Sequence, residues 1–405
     1  MTDTVIIGGG AAGSMAAIQA ARLGKSVVLL ERNGVIGRKL RITGKGRCNV
    51  TNNSAPQEHL SNIPVNPRFL YSAFSSFDAY DTMSFFEELG VPLKTERGNR
   101  VFPVSDNAED IVAALGRELK RLGVRIVSAR ADRLLIEDGV CVGAAAGEEE
   151  FRAGSVLVAC GGASYPNTGS TGDGFDLARQ AGHTVTELKP SLVPLTSPDK
   201  YCAELMGLSL RNVTLSLYEG EKLLYSDLGE MLFTHFGVSG PLVLSASSHI
   251  RERRPEGCRL VIDLKPGLSP EQLDARILRD LAENQNRDFI NGIRKLLPAK
   301  LIPVIVRLSG IAPDKKVNSI TKEERRSFGQ LMKSFPVRIS GFRPLSEAIV
   351  TSGGVSVKEI DPKTMESKLV PGLFFAGEVI DVDAYTGGFN LQIAFSTANT
   401  AALYL

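Results

Sequence analysis

The sequence predicts an α/β fold whose principal domain is assembled from both ends of the chain and interrupted by an insertion. Three observations carry this. A short apolar strand at 4–7 runs into Gly8-Gly9-Gly10-Ala11-Ala12-Gly13 and then into an Ala-rich stretch with helical spacing. Far downstream, at 373–376, another apolar strand meets a glycine, Gly377. Between them, from Lys189-Pro190 to about Gly341, the texture changes to alternating strands and then to helices.

In chain order, the helix at 11–23 is stopped by Gly24, and a buried strand at 26–30 ends at Glu31, completing a βαβ unit. Helices are expected at 79–89 and 108–122, with Gly90 and Gly123 as C-terminal stops. A strand at 124–127 and hairpin-like strands through Phe151 follow, and an apolar run at 155–159 opens into Gly161-Gly162. The stretch 192–264 reads as antiparallel strands. Helices are then expected at 269–281, 287–296 and 321–335, with Pro298 and Pro303 as breaks. A last helix runs from about Leu391. The expected organisation is a discontinuous Rossmann-like domain over 1–190 and 341–405, an inserted β-rich, barrel-like domain over 191–266, and a small helical domain over 267–340.

Composition narrows the class. With 405 residues and 43% hydrophobic content the chain can bury a large core, and its 40 glycines cluster at a few backbone sites. The net charge of +2 gives no case for a nucleic-acid or membrane partner. Five scattered cysteines without a CxxC pair argue against a disulfide framework or a metal site, and for a reducing cytoplasm. No leader-like start or long apolar span is seen, which gives a cytoplasmic expectation.

The chemistry sits in the glycines. Gly8, Gly10 and Gly13 fit GxGxxG: the first permits the tight turn, the second lets backbone N–H groups approach a pyrophosphate, and the third lets helix and strand pack closely. With Ala11 and Ala12 they open a helix whose N-terminus favours an anion. Glu31, followed by Arg32, stands where a carboxylate accepts hydrogen bonds from ribose hydroxyls. This unit alone does not choose between FAD and NAD. Gly37-Arg38-Lys39 follows, at a place where FAD-binding families commonly set a Gly-Arg against the pyrophosphate; the alternative for the two cations is a solvated surface pair.

Next comes Thr43-Gly44-Lys45-Gly46-Arg47-Cys48-Asn49-Val50-Thr51-Asn52, rich in glycine, cations and small polar residues, as suits backbone wrapping a charged planar ligand. This segment resembles the GRCNVTN stretch of the BaiN-like, or aminoacetone oxidase, family of FAD-binding enzymes, and the resemblance extends over essentially the whole chain. It implies bound FAD and adds site residues. Ala159-Cys160-Gly161-Gly162 resembles the segment that returns the chain to the dinucleotide in many flavoproteins. Gly172-Asp173 resembles part of a TGDG segment, with Asp173 either a ligand or a helix cap. Ala131 stands where an adenine-contacting strand is expected, Gly377-Glu378 where an acid meets the ribityl hydroxyls, and Gly388, Asn390 and Leu391 where a helix N-terminus meets the flavin.

Three residues have competing roles. Cys48 is either a packed thiol or a reactive one, and with no second cysteine beside it no disulfide relay is available. His235 and Tyr385 are the candidate catalytic residues, each weighed against a packing role. The expected function is an FAD-dependent oxidoreductase with noncovalent FAD and a small organic substrate, using NADH or NADPH as transient donor or oxygen as acceptor. The alternatives are a tRNA-modifying flavoprotein and a flavin-binding sensor without turnover.

Overall fold

The computed structural model describes residues 2–405. The chain forms two compact units, Met1–Ser191 with Leu345–Leu405, and Leu192–Pro344.

The first unit is built on a parallel sheet. Its strands run in the order Arg125–Val127, Val27–Leu30, Thr2–Ile7, Glu149–Val158 and Leu373–Phe375. Val27–Leu30 is buried throughout, as is the second half of Thr2–Ile7, the continuous apolar reading of a sheet covered on both faces. The long strand Glu149–Val158 serves three partners. Its first residues pair antiparallel with Val140–Ala146, and its later ones pair in parallel with Thr2–Ile7 and Leu373–Phe375. The C-terminal segment thus completes a sheet begun at the N-terminus.

The helix Ala11–Arg22 packs against the closing helix Phe389–Ala402. The closing helix is buried on all sides over residues 392–402. Its small side chains permit this, and its hydroxyls bond backward: Thr397 Oγ1 donates to the Ile393 carbonyl at 2.6 Å and Thr400 Oγ1 to that of Ser396 at 3.0 Å. The helix Ala108–Arg121 is fixed to the first helix through Glu118, which Arg121 and Arg22 hold down to a pKa of about 2.

The second unit carries a seven-stranded antiparallel sheet in the order Phe335–Arg338, Cys258–Asp263, Ser209–Glu219, Lys222–Thr234, Gly237–Ser239, Leu195–Thr196 and Gly341–Phe342. The two outer strands are separated in the chain only by Ile339 and Ser340, so the sheet curls nearly onto itself, as a barrel-like insertion should. Helices Pro270–Ala282, Ile302–Ser309 and Lys322–Lys333 share one apolar cluster with this sheet.

Two helical expectations are corrected. The helix expected at 287–296 is a single turn, Phe289–Gly292, because Phe289 N–H and Val317 N–H bond across to Lys315 and Arg287 carbonyls and leave the helical ladder. Ile302–Ser309 is a helix despite Pro303, which occupies its first turn, where no backbone N–H is needed. Among the described residues no helix is long and apolar enough to cross a membrane. Among them, too, no group of three or more His, Cys, Asp or Glu residues is placed to hold a metal ion.

Candidate cofactor site

The expected glycines meet the demands of the first turn. Gly8 has φ +104°, and a Cβ there would lie 2.6 Å from the Ala159 carbonyl oxygen. A Cβ on Gly13 would lie 1.8 Å from the Gly8 carbonyl oxygen, so only glycine lets the helix sit this close to the strand. Around the Cβ position of Gly10 there is nothing within 4 Å. The helix that follows, with Ala11 and Ala12 in its first turn, has no side-chain cap and no acidic residue there. Its first amides therefore face open space, as an anion site requires.

Glu31 is buried and braces this turn. Its Oε2 accepts the Gly9 N–H at 2.8 Å, and its Oε1 accepts the backbone and side-chain N–H groups of Asn33, each at 2.8 Å. Oε1 is thereby filled, and Oε2, with one accepted hydrogen bond, keeps a second lone-pair direction for a ribose hydroxyl. Gly37, at φ +69°, closes the loop by donating its N–H to the Gly9 carbonyl at 2.8 Å.

Three segments distant in sequence converge on one carboxylate. Glu378 accepts from Lys39 Nζ at 2.7 Å, from Thr351 N–H at 2.9 Å and from Ser164 Oγ at 3.2 Å. Gly162 leaves room for this group, since a Cβ there would lie 3.0 Å from Glu378 Oε1. Gly161 has φ +74°, and Gly377, at φ +76°, packs against Ala12 of the first helix. Ser164 and Thr351 were missed because nothing in their local sequence marks them.

A second convergence joins the 43–52 segment to the closing helix. Gly44, Lys45, Gly46 and Cys48 all have left-handed φ, and Thr43 Oγ1 donates to the Leu40 carbonyl at 2.7 Å. Thr51 Oγ1 donates to Gln392 Oε1 at 2.6 Å, and Asn52 Nδ2 donates to the Gly387 carbonyl at 3.0 Å. Gly388, φ +102°, lies so close that a Cβ would fall 2.3 Å from the Thr51 carbonyl. The closing helix then starts with no side-chain cap and no acid in its first turn. Asn390 does not project its amide into open space: Oδ1 accepts Ala384 N–H at 2.9 Å, and Nδ2 donates to the Ala384 and Tyr385 carbonyls at 2.8 and 3.3 Å. Leu391 packs half-buried against the core. Tyr385 is half-buried, its N–H bonded to the Asn62 carbonyl at 3.0 Å.

Other expected residues are placed differently. Arg47 stacks over the Phe102 ring at 4.1 Å and pairs with Glu96 and Asp106, both at 2.5 Å, so its guanidinium is committed within the chain. Asp173 is no N-cap; that position is Gly172, and Asp173 is held by Arg32 at 2.7 Å and Arg130 at 2.9 Å. Arg38 donates to Asn33 Oδ1 at 2.8 Å. Ala131 is buried, leaving only its backbone for a ligand. Cys48 is fully buried and burial pushes its thiol up to about 12, which fits the packed thiol and not the reactive one. His235 lies exposed at the turn between Lys222–Thr234 and Gly237–Ser239 of the second unit, its ring edge-on to Phe236.

The residues fit FAD on their own geometry. Gly10 leaves space, two helix N-termini are uncapped, and Asn49 Oδ1 is buried with no hydrogen-bond partner among the described residues. Gly8, Gly10, Gly13 and Glu31 would hold the dinucleotide end, and Asn49 with the Gly387–Leu391 backbone the ring end.

One expected outcome concerns Glu31. Glu31→Ala should raise the FAD dissociation constant by a factor corresponding to about 1–3 kcal/mol, the scale of lost charge-assisted hydrogen bonds. Flavin-fluorescence titration measures this; an unchanged constant would remove Glu31 from the site.

The HI0933-like protein Rossmann domain family matches residues 2–404. A relative from Haemophilus influenzae named ribosomal RNA dihydrouridine synthase is 33% identical, over 99% of this chain and 98% of its own. The 3-dehydro-bile acid delta(4,6)-reductase of Clostridium scindens is 33% identical, over 98% and 97%. The solved 3-ketosteroid delta1-dehydrogenase of Sterolibacterium denitrificans shares the fold at a TM-score of 0.56 and 14% identity, covering 99% of this chain and 98% of that one. The chain therefore belongs to the HI0933-like Rossmann-domain family.

Proposed function

We propose that the chain reduces a carbon–carbon double bond conjugated to a carbonyl group, with FAD held noncovalently and NADH or NADPH as electron donor. The observation that carries the reading is the uncapped N-terminus of the closing helix, gripped by Thr51 and Asn52, which sets a cluster of backbone N–H dipoles where negative charge is to be stabilised. FAD, when bound, supplies the hydride. The protein's share is to orient the ring system, exclude water and deliver a proton. Tyr385, fixed through its N–H and carbonyl, is the candidate proton donor in the first unit, and His235 the candidate in the second. A noncovalent link agrees with His59, whose Nε2 lies 2.8 Å from the Asn52 carbonyl oxygen and whose ring is enclosed by Phe74 and Phe389.

The bond class follows from what the two relatives are named for. A Δ4 bond in a 3-oxo bile acid and the 5,6 bond of uridine are both conjugated to a carbonyl. A small organic substrate is the first reading. A ribosomal RNA substrate is the second, favoured by the name of the H. influenzae relative and by an uneven charge distribution: residues 192–344 hold 23 Lys and Arg against 17 Asp and Glu, which the overall +2 conceals. The test is anaerobic. Protein reduced with NADH or NADPH is mixed with a 3-oxo-Δ4 steroid or with rRNA, and reoxidation and saturated product are followed. Failure of both substrates to reoxidise the protein overturns the proposal.

A further inference from the structure

In the second unit, the turn at 264–268 is tied by hydrogen bonds to the end of the helix Lys322–Lys333. Lys333 Nζ donates to the Lys265 and Leu268 carbonyls at 3.2 and 2.8 Å, and Leu264 N–H bonds to the Met332 carbonyl at 3.0 Å. This turn lines a surface pocket together with Arg211 and Asn212. The half-buried Lys265 ammonium has no carboxylate partner among the described residues. The carboxylates nearby already serve other cations: Asp263 pairs with Lys333 at 2.5 Å, and Asp280 with Arg276 at 2.9 Å. Burial first, and then the charge of Arg276, push the Lys265 ammonium below the usual lysine range. The environment is therefore one that an added anion would relieve.

The other wall is shaped on purpose by a break in strand pairing. The register shifts between Arg211 and Val213, and Asn212 takes a left-handed φ of +53°. Such a bulge re-aims side chains, and here the exposed Arg211 lines the pocket. Glu230 stands opposite Arg211 in the ladder, but no ion pair between them is found among the described residues. The remaining lining, Leu264, Pro266, Gly267 and Leu268, carries no acid.

We propose that the Arg211–Lys265 pocket binds a phosphate group. A planar guanidinium and a compact ammonium beside a hydrogen-bonded turn, with no competing carboxylate in the lining, are the donor set phosphate oxygens take. The proposal does not rest on the flavin reading, and the phosphate can come from a nucleotide such as the 2′-phosphate of NADPH or from a polynucleotide backbone.

The test uses the full-length, FAD-loaded protein and the variants Arg211→Gln, Arg211→Glu and Lys265→Gln. Binding of pyrophosphate, NADP+ against NAD+, and a short structured RNA is measured by calorimetry or fluorescence anisotropy at two salt concentrations. FAD absorbance and melting temperature report folding, and Arg211, being exposed, provides variants that fold even if Lys265→Gln does not. We expect at least one phosphate ligand to bind wild type and to weaken about tenfold in each Gln variant and further in Arg211→Glu. Preference for NADP+ over NAD+ assigns a nucleotide; RNA binding with a salt slope reduced in the variants assigns a backbone phosphate. No binding of any of the three ligands by wild type, or equal affinity in wild type and the folded Arg211 variants, overturns the proposal.

Discussion

Gly10→Ala is expected to fold but to bind FAD more weakly, whereas Gly13→Ala is expected to fail at both. The contrast follows from two distances three residues apart. A Cβ on Gly10 meets no protein atom within 4 Å, and its φ of −78° is ordinary for alanine. Losing a glycine for alanine at an N-cap costs at most about 1 kcal/mol. The added methyl instead enters the space that FAD would fill, where overpacking costs about 1–3 kcal/mol of binding. A Cβ on Gly13 would lie 1.8 Å from the Gly8 carbonyl oxygen, so the helix must withdraw from the sheet, at a stability cost of about 3 kcal/mol or more. Melting of the flavin-free proteins and FAD titration separate the two effects. Wild-type FAD affinity in Gly10→Ala would place the cofactor elsewhere.

The second large effect is on the redox potential. Asn390→Asp should lower the two-electron potential by about 20–45 mV, corresponding to about 1–2 kcal/mol at a helix N-terminus. A carboxylate there competes for the same dipoles that stabilise reduced, negatively charged flavin. The substitution also removes the two donations from Nδ2 to the Ala384 and Tyr385 carbonyls, so a control is needed. Asn390→Ala loses those bonds without adding charge. Dye-equilibrated titration of the two variants should give a lower potential for the aspartate; equal potentials with FAD fully bound would mean that this helix does not face the flavin.

The βαβ unit was legible because its chemistry is local. Glycine spacing, helix periodicity and Glu31 all lie within one short stretch, and the structure bonds Glu31 to Gly9. What was not legible is which distant groups meet. Lys39 finds Glu378, 339 positions away, and no local pattern announces that. Arg47 looked like a ligand because its neighbours are those of a binding loop, yet Phe102, Glu96 and Asp106 hold its guanidinium. Asn390 sits in the expected motif, but its amide ties down the preceding loop. Pro303 reads as a breaker in the sequence because its place in a first turn depends on where the helix starts, which the local sequence does not fix.

The two-ended construction of the first unit has a consequence for biosynthesis. When translation has reached Ser191, the sheet still lacks Leu373–Phe375, and the first helix lacks Phe389–Ala402, against which it packs. At about 5–20 residues per second, roughly 10–40 s pass before those segments emerge. During that interval the intervening unit, being contiguous, has all its strands available, while the apolar face awaiting the last helix stays exposed to aggregation or to chaperones. The two uncapped helix N-termini, at Ala11 and Phe389, can therefore come together only after the whole intervening unit has been made.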